Sequence, residues 1–211
     1  INGLEVKIYR VCSGVKGMSV KKQKKYRKEL NSKGKIDLVD EHKIIKRPKI
    51  ILNEVENLKK LGFDKIILSG YSAGGWSSLV LQSRYPEKII GTIAFNPAFA
   101  GPKKEWQKKY PEWGAFRDDS INKLNKADKI NAIVFAHKDD IFEDPKTLSF
   151  FENFKDLNLI DYSELKPTRC TWADGDKKMP SNKGHNIPQS KCFTKYLEDK
   201  NYLISFLENI L

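Results

Sequence analysis

The residues best suited to chemistry lie in the motif Gly70-Tyr71-Ser72-Ala73-Gly74. The apolar run Ile66-Ile67-Leu68 precedes it, and a run compatible with a helix follows. This strand–turn–helix context is the one that a G-x-S-x-G nucleophile elbow needs, because the sharp turn lifts the serine hydroxyl above the edge of a sheet. We predict that Ser72 is a nucleophile and that side chains at Gly70 and Gly74 would collide with the neighbouring strand or helix. The alternative is a glycine-rich loop without chemistry.

A serine hydroxyl is a poor nucleophile unless a base accepts its proton and a third group orients that base. The chain has three histidines, His42, His137 and His185. The chain order Ser…Asp…His that accompanies this kind of elbow selects His185, on a loop before the last predicted helix. The sequence therefore predicts that His185 is the base for Ser72.

The acid is expected after the apolar run that ends at Ala136, where Asp139 and Asp140 are adjacent. We predict Asp140, one residue further along the turn, and Asp139 stays open. Asp174 and Asp176, nearer to the histidine in sequence, are further alternatives. The carboxylate would accept the imidazole N–H, fix the tautomer and stabilise the imidazolium that forms.

Two backbone N–H donors are expected to hold a developing oxyanion. The N–H of Ala73, directly after the nucleophile, is one, and Ser13, in the loop after the first predicted strand, is our choice for the other. Tyr71 and Trp76 are predicted to line the substrate site, with ordinary core packing as the alternative.

Apolar runs of strand length alternate with helical patterns along the chain, which predicts a mostly parallel sheet covered on both faces. The fold class is therefore a three-layer α/β sandwich, with residues 1–211 as a single domain and a small lid-like excursion at 96–118. The predicted strands are 4–11, 35–40, 64–69, 89–95, 130–136 and 160–165, and the predicted helices are 20–31, 48–61, 73–84, 119–127, 145–155 and 193–210.

The net charge of +12 is concentrated in the first part of the chain, with its densest run at Lys21–Lys28. We interpret this run as a solvated helix face. The alternative is a patch for an anionic surface or a nucleic acid. No nucleic-acid-binding signature accompanies the run, so no nucleic-acid partner is predicted. No run of about 18 apolar residues is present, so no stable membrane insertion is expected.

Cys170 and Cys192 flank the loop that contains His185, and we predict a disulfide between them, with two reduced thiols as the alternative. A disulfide implies an oxidising compartment. Together with a chain that starts at Ile1, this predicts a periplasmic or secreted protein, with a cytoplasmic one as the alternative. None of the three cysteines forms a C-x-x-C pair, so neither a zinc site nor another metal is predicted.

The motif with its extension Gly75-Trp76, and the run Ile93-Ala94-Phe95-Asn96-Pro97-Ala98, resemble the dienelactone-hydrolase-like branch of the α/β-hydrolases. The acid strand and Gly184-His185 extend the resemblance over roughly residues 4–211. The resemblance implies a serine esterase that acts on a small-molecule ester without a metal or an organic cofactor. The early His-Gly oxyanion motif of the family is not visible.

Two other functions stay open at this point. One is a serine peptidase or amidase of the same fold, although such enzymes usually carry an additional propeller or a large cap. The other is a non-catalytic binding protein that keeps the fold, against which the intact set of Ser72, Asp140 and His185 argues. The sequence does not predict the acyl group, the leaving group or the oligomeric state.

Overall fold

The structure is a computed structural model that describes residues 7–9, 43–99, 102–104, 111–181 and 183–211. The chain divides into two compact units, Ile1–Lys7 with Asp64–Leu211, and Ile8–Phe63. That 1–211 is one domain stays a prediction. The strand predicted at 35–40, the helix predicted at 20–31 with its basic run Lys21–Lys28, and most of the strand predicted at 4–11 lie outside the described residues.

The unit Ile8–Phe63 contains helix α1, Lys43–Lys60. Pro48, which we expected to open this helix, lies inside it. The helix ends at Lys60, and Gly62, which we expected to stop it, has a φ of 90° that suits glycine alone. The N–H of Phe63 closes the turn by donating to the carbonyl of Leu58 at 3.1 Å. The ring of Phe63 also meets that of Tyr9 edge to face at 5.5 Å.

The larger unit is built on a parallel sheet. Its four strands are β1 Ile67–Tyr71, β2 Gly91–Phe95, β3 Ala132–Ala136 and β4 Leu157–Asp161. Each strand pairs with the next along the chain, in the order β1-β2-β3-β4, and all pairs are parallel. The register aligns Tyr71 with Phe95 and Ala136 with Asp161. The residues that follow the strands therefore emerge at one common edge.

The helices of this unit are α2 Ala73–Arg84, α3 Pro111–Leu124, α4 Lys191–Lys200 and α5 Tyr202–Ile210, with short 3-10 helices at Ser149–Asn153, Pro167–Arg169 and Gly184–Gln189. They cover both faces of the sheet, as strand β3 shows. Val134 packs in one apolar cluster with Leu79 of α2, whereas Phe135 packs in another with Phe193 of α4 and Phe206 of α5. Because successive strand residues face opposite sides, the predicted three-layer α/β arrangement is confirmed.

The predicted excursion at 96–118 is partly helical. Helix α3 begins at Pro111 rather than at residue 119, consistent with the preference of proline for the first helical position. At the other end of the excursion, Phe99 packs against Trp76 with ring centroids 5.4 Å apart. Residues 111–118 are thus part of a helix that covers the sheet, and a lid role for the segment stays a prediction.

Other predicted elements also differ from the structure. The strands expected at 64–69, 89–95 and 130–136 lie at Ile67–Tyr71, Gly91–Phe95 and Ala132–Ala136. The helix expected at 145–155 is the 3-10 helix Ser149–Asn153, and the strand expected at 160–165 lies at Leu157–Asp161. The helix expected at 193–210 is divided into α4 and α5 by Asn201, which adopts a left-handed conformation with φ 53°. Asparagine tolerates this conformation better than most residues, so the chain can break the helix here. The apolar spacing continues on both sides of the break, which is why the sequence predicted one helix.

The loop before α4 is closed by a disulfide between Cys170 and Cys192, as predicted, with Cα atoms 5.4 Å apart and a sequence separation of 22. Two isolated bridges, between Thr171 and Lys178 and between Trp172 and Ser190, add backbone pairing within the loop. Among the described residues, no helix combines the length and apolar character needed to cross a bilayer.

Removal of this disulfide should destabilise the protein. We expect the double variant Cys170→Ala with Cys192→Ala to lose about 3 kcal/mol of unfolding free energy, because a loop of this length gains chain entropy in the unfolded state when it is opened. Urea unfolding of the oxidised protein measures the difference, and Cys12→Ala, which leaves the bridge intact, is the control. Equal unfolding midpoints for the wild type and the double variant would contradict the prediction.

Candidate active site

Ser72 lies in a strained turn between β1 and α2. Its φ of 55° and ψ of −127° are rare for a residue with a side chain, and such strain costs on the order of 1–3 kcal/mol. Neighbouring backbone groups hold the turn. The N–H of Ser72 donates to Phe95 O at 2.9 Å, and its carbonyl accepts the N–H groups of Trp76 and Ala98, both at 3.1 Å. This is the strand–turn–helix geometry that the motif predicts.

The turn is possible because α2 and β1 approach each other closely. A Cβ at Gly70 would lie 2.5 Å from the carbonyl carbon of Gly74 and 2.6 Å from the nitrogen of Gly75. A Cβ at Gly75 would lie 2.9 Å from Gly70 O, whereas one at Gly74 would meet no described atom within 4 Å. The collision predicted at Gly70 is confirmed and that at Gly74 is wrong. The reason is that the helix touches the strand through Gly75.

The structure brings Ser72, His185 and Asp140 together. His185 Nε2 lies 3.0 Å from Ser72 Oγ, and His185 Nδ1 lies 2.6 Å from Asp140 Oδ2. The other oxygen of Asp140 accepts the N–H of Phe142 at 2.8 Å. The carboxylate therefore holds the Nδ1–H tautomer, which leaves the lone pair of Nε2 directed at the serine hydroxyl. Asp140 and His185 are only 2% and 8% exposed, so this pair is largely screened from water.

The other candidate acids and bases are placed differently. Asp139 has a half-exposed side chain 4.0 Å from His137 Nδ1. His137 is fully buried, accepts the N–H of Asp139 at Nδ1 and donates from Nε2 to Leu165 O at 2.8 Å. Asp174 and Asp176 are exposed, and His42 lies outside the described residues. Among the described residues, no group of three or more His, Cys, Asp or Glu is arranged to hold a metal ion.

His185, the candidate base, is held by its own segment, residues 183–190 (the base loop), and by Tyr71. A Cβ at Gly184 would lie 2.4 Å from Asp139 O, so glycine is needed where the base loop meets the turn 139–142 that carries Asp140 (the acid turn). The Tyr71 hydroxyl donates to His185 O at 3.1 Å and accepts from Asn186 Nδ2 at 3.2 Å. Burial raises the pKa of Tyr71 to about 12. The charge of Asp140 also raises this pKa, whereas a hydrogen bond with Gln189 lowers it. Tyr71 therefore stays a neutral donor at neutral pH.

The aromatic residues predicted to contact substrate have different surroundings. Tyr71 is half-buried with its ring centroid 5.0 Å from that of His185. Trp76 is 3% exposed, and its indole N–H donates to Ser120 Oγ at 3.0 Å. The placement of Trp76 favours the alternative of core packing. Phe142, which the sequence analysis did not single out, lies 4.4 Å from the His185 ring.

The two predicted oxyanion donors have different outcomes. Ala73 is the first residue of α2, so its N–H has no partner within the helix and lies at the positive end of the helix dipole. This N–H belongs to the residue that directly follows Ser72 in the chain. Ser13 lies outside the described residues, so its role stays a prediction.

A buried ion pair holds the turn that carries Asp140. Glu143 is 1% exposed and accepts two bonds from Arg117 of α3, from Nε at 2.5 Å and from Nη2 at 2.8 Å. Arg117 Nη2 also donates to Thr147 O at 2.6 Å. Burial raises the pKa of Glu143, while the hydrogen bonds and charge of Arg117 oppose that shift. No motif in the sequence indicated this pair, because its partners are 26 residues apart and belong to different elements.

Comparisons with solved structures give similar chains at low identity. A predicted CIB-like hydrolase from Thermoplasma acidophilum is 16% identical over 81% of this chain and 62% of its own, with a TM-score of 0.49. A thermophilic esterase is 18% identical over 77% and 73%, with a TM-score of 0.42. The Paleococcus ferrophilus monoacylglycerol lipase is 18% identical over 56% and 65%, with a TM-score of 0.41. The chain thus spans less than two thirds of the first and the third of these proteins.

No protein-family model matches the chain, and no curated protein matches it. The fold assignment rests on the parallel sheet, its two helical layers and the strained turn at Ser72. These features confirm the predicted α/β-hydrolase-like fold. The dienelactone-hydrolase-like branch stays a prediction.

The close contact between β1 and α2 can be tested by a pair of substitutions. We expect Gly70→Ala to lower the free energy of unfolding by about 1–3 kcal/mol, because the added methyl group would overlap the α2 backbone. Gly74→Ala, where the described surroundings are open, should change it by no more than about 1 kcal/mol. Urea unfolding curves of both variants provide the comparison. Equal losses at the two glycines would show that the contact does not discriminate between them.

The Arg117–Glu143 pair gives a second stability test. Arg117→Met should cost about 3–5 kcal/mol, because it leaves a buried carboxylate without its cation. The loss of unfolding free energy relative to the wild type should grow as pH rises. Without Arg117, the pKa of Glu143 in the folded state is raised further above its value in the unfolded chain, so ionisation of this carboxyl favours unfolding.

The control is Lys123→Met on the same helix, which removes the exposed pair with Asp119. Its loss should stay within about 1 kcal/mol. A loss for Arg117→Met that is as small as the loss for Lys123→Met would contradict a structural role for the buried pair.

Proposed function

We propose that this chain is a serine hydrolase that cleaves carboxylic esters, with Ser72 as nucleophile, His185 as base and Asp140 as the acid that orients it. The observation that carries the proposal is the continuous series of hydrogen bonds from Ser72 Oγ through the imidazole to Asp140 Oδ2, at 3.0 and 2.6 Å. A nucleophile, a base and an orienting carboxylate in this order are the arrangement that activates a serine hydroxyl.

In the proposed reaction, Ser72 Oγ attacks the ester carbonyl carbon while His185 Nε2 takes the hydroxyl proton. Asp140 stabilises the imidazolium, and the N–H of Ala73 donates to the oxyanion, with Ser13 proposed as the second donor. The tetrahedral intermediate collapses when the imidazolium gives its proton to the departing alkoxide, which leaves an acyl group on Ser72. Water, deprotonated by His185, then attacks the acyl carbon. The bond from that carbon to Ser72 Oγ breaks, the imidazolium returns its proton to Oγ, and the carboxylic acid leaves.

The substrate class of the proposal is a small-molecule ester. The strain at Ser72 supports a catalytic role, because backbone strain of this kind clusters at functional sites where the surrounding structure maintains it. Tyr71 is proposed to line the substrate site beside the base, whereas the burial of Trp76 gives no support for the same role. The disulfide supports a periplasmic or secreted location.

The proposal predicts hydrolysis of short p-nitrophenyl esters. Ser72→Ala and His185→Ala should each lower kcat by about 10⁴-fold or more, because the first removes the nucleophilic hydroxyl and the second removes the base that activates it. Irreversible labelling of the wild type by a fluorophosphonate probe, and its loss in Ser72→Ala, identifies the nucleophile independently of the ester chosen.

The adjacent aspartates provide a matched control. Asp140→Asn should lose about 10⁴-fold in kcat through the wrong imidazole tautomer, whereas Asp139→Asn, with the same chemical change one residue away, should retain kcat within a few-fold. The reverse result would transfer the acid role to Asp139. A folded wild type that neither hydrolyses esters nor reacts with the probe would overturn the proposal.

A further inference from the structure

Asn96 is a buried polar residue that the proposed reaction does not use. It directly follows β2, is 0% exposed and has a φ of 42°, so its backbone is in the left-handed region. Burial of an amide is costly unless its polar atoms are bonded, and positive φ adds strain. Because Asn96 combines burial and positive φ at the end of the strands where Ser72 lies, its contacts should show what offsets these costs.

The contacts of Asn96 lead to the base loop. Its Nδ2 donates to His185 O at 2.8 Å and to Gly184 O at 3.2 Å. The backbone N–H of Asn96 donates to Phe135 O at 2.8 Å, which ties the residue to the end of β3. Asn96 thus connects the ends of β2 and β3 to the backbone carbonyl of His185. The left-handed backbone turns the chain at this point.

A second buried group fixes the amide. The hydroxyl of Tyr162, which is 0% exposed and directly follows β4, donates to Asn96 Oδ1 at 2.7 Å. Burial keeps this phenol protonated by raising its pKa well above the ordinary value, against the Asn96 bond, so it serves as a donor. With Oδ1 engaged by a donor and Nδ2 by two acceptors, one orientation of the amide satisfies all three bonds.

We propose that Asn96 is a positioning residue that holds the backbone of His185, with Tyr162 orienting it, so that Nε2 stays in reach of Ser72. The inference rests on the proposed function. Misplacement of a catalytic group by about 1 Å costs on the order of 100-fold in rate. Among the described residues, the hydrogen bonds of Asn96 go to the base loop, to the end of β3 and to Tyr162, so its loss should lower kcat and leave KM nearly unchanged.

The test replaces Asn96 by glycine, which adopts the left-handed backbone without strain and removes the side chain that carries the amide. We expect kcat for p-nitrophenyl acetate to fall by about 10- to 100-fold, with KM within about twofold. The far-downfield proton NMR signal of the His185 Nδ1–H that is bonded to Asp140 should broaden or disappear. Tyr162→Phe should produce a smaller loss of kcat in the same direction.

Asn131→Gly is the matched control. The Asn131 amide donates to Ile90 O at 3.0 Å at the opposite end of the strands, so its removal should leave kcat and the NMR signal as in the wild type. An Asn96→Gly variant that retains both kcat and the signal would overturn the inference. If Asn96→Gly does not fold by circular dichroism, Tyr162→Phe decides, and wild-type kcat and signal in that variant would overturn it.

The NMR signal separates this inference from the proposed function. A wild type that shows the signal but neither hydrolyses esters nor reacts with a fluorophosphonate would refute the function. The response of the signal to Asn96→Gly would still test whether Asn96 holds His185.

Discussion

The close approach of strand β1 to helix α2 is the constraint on which the site depends. Without side chains at Gly70 and Gly75, the two backbones come near enough for a single residue, Ser72, to reverse the chain direction between them. That reversal leaves the serine in a backbone conformation it would not adopt alone. The strained conformation of Ser72 is stabilised by the backbone of the first two strands and by the apolar residues packed under α2. Core packing therefore offsets the local strain.

His185 and Asp140, the proposed base and acid, are held by a different kind of interaction. Asp140 lies in a turn after β3 and His185 in the short 3-10 helix Gly184–Gln189, and both are supported by buried polar groups rather than by apolar packing alone. Arg117 and Glu143 hold the acid turn against helix α3, and Asn96 with Tyr162 holds the base loop against the sheet. Polar contacts are directional, so they restrict side-chain orientation more tightly than apolar contacts of the same area. Such contacts suit the Ser72–His185–Asp140 arrangement, whose hydrogen bonds depend on the orientation of the imidazole ring.

The sequence predicted the α/β class and the parallel sheet because alternating apolar patterns and a glycine-flanked serine are local signals. It also pointed to Ser72, Asp140 and His185, because chain order restricts a choice among few candidates. It did not indicate Arg117, Glu143 or Asn96, whose partners are 26 or more residues distant and follow no spacing rule. The crowding assigned to Gly74 was wrong because a G-x-S-x-G pattern does not tell which glycine faces the strand. The break at Asn201 was missed because the apolar period continues through it.

The separation of Ser72 and His185 by 113 residues has a consequence for the order in which the site is completed. Sheet neighbours are consecutive in the chain, so the strands and the serine turn can form while the protein is still being synthesised. His185, the proposed base, comes after all four strands of the described sheet and before α4 and α5 in the chain. A nascent chain therefore carries Ser72, the proposed nucleophile, before the proposed base has been synthesised, and the two side chains can meet only after the segment beyond β4 has packed against the sheet.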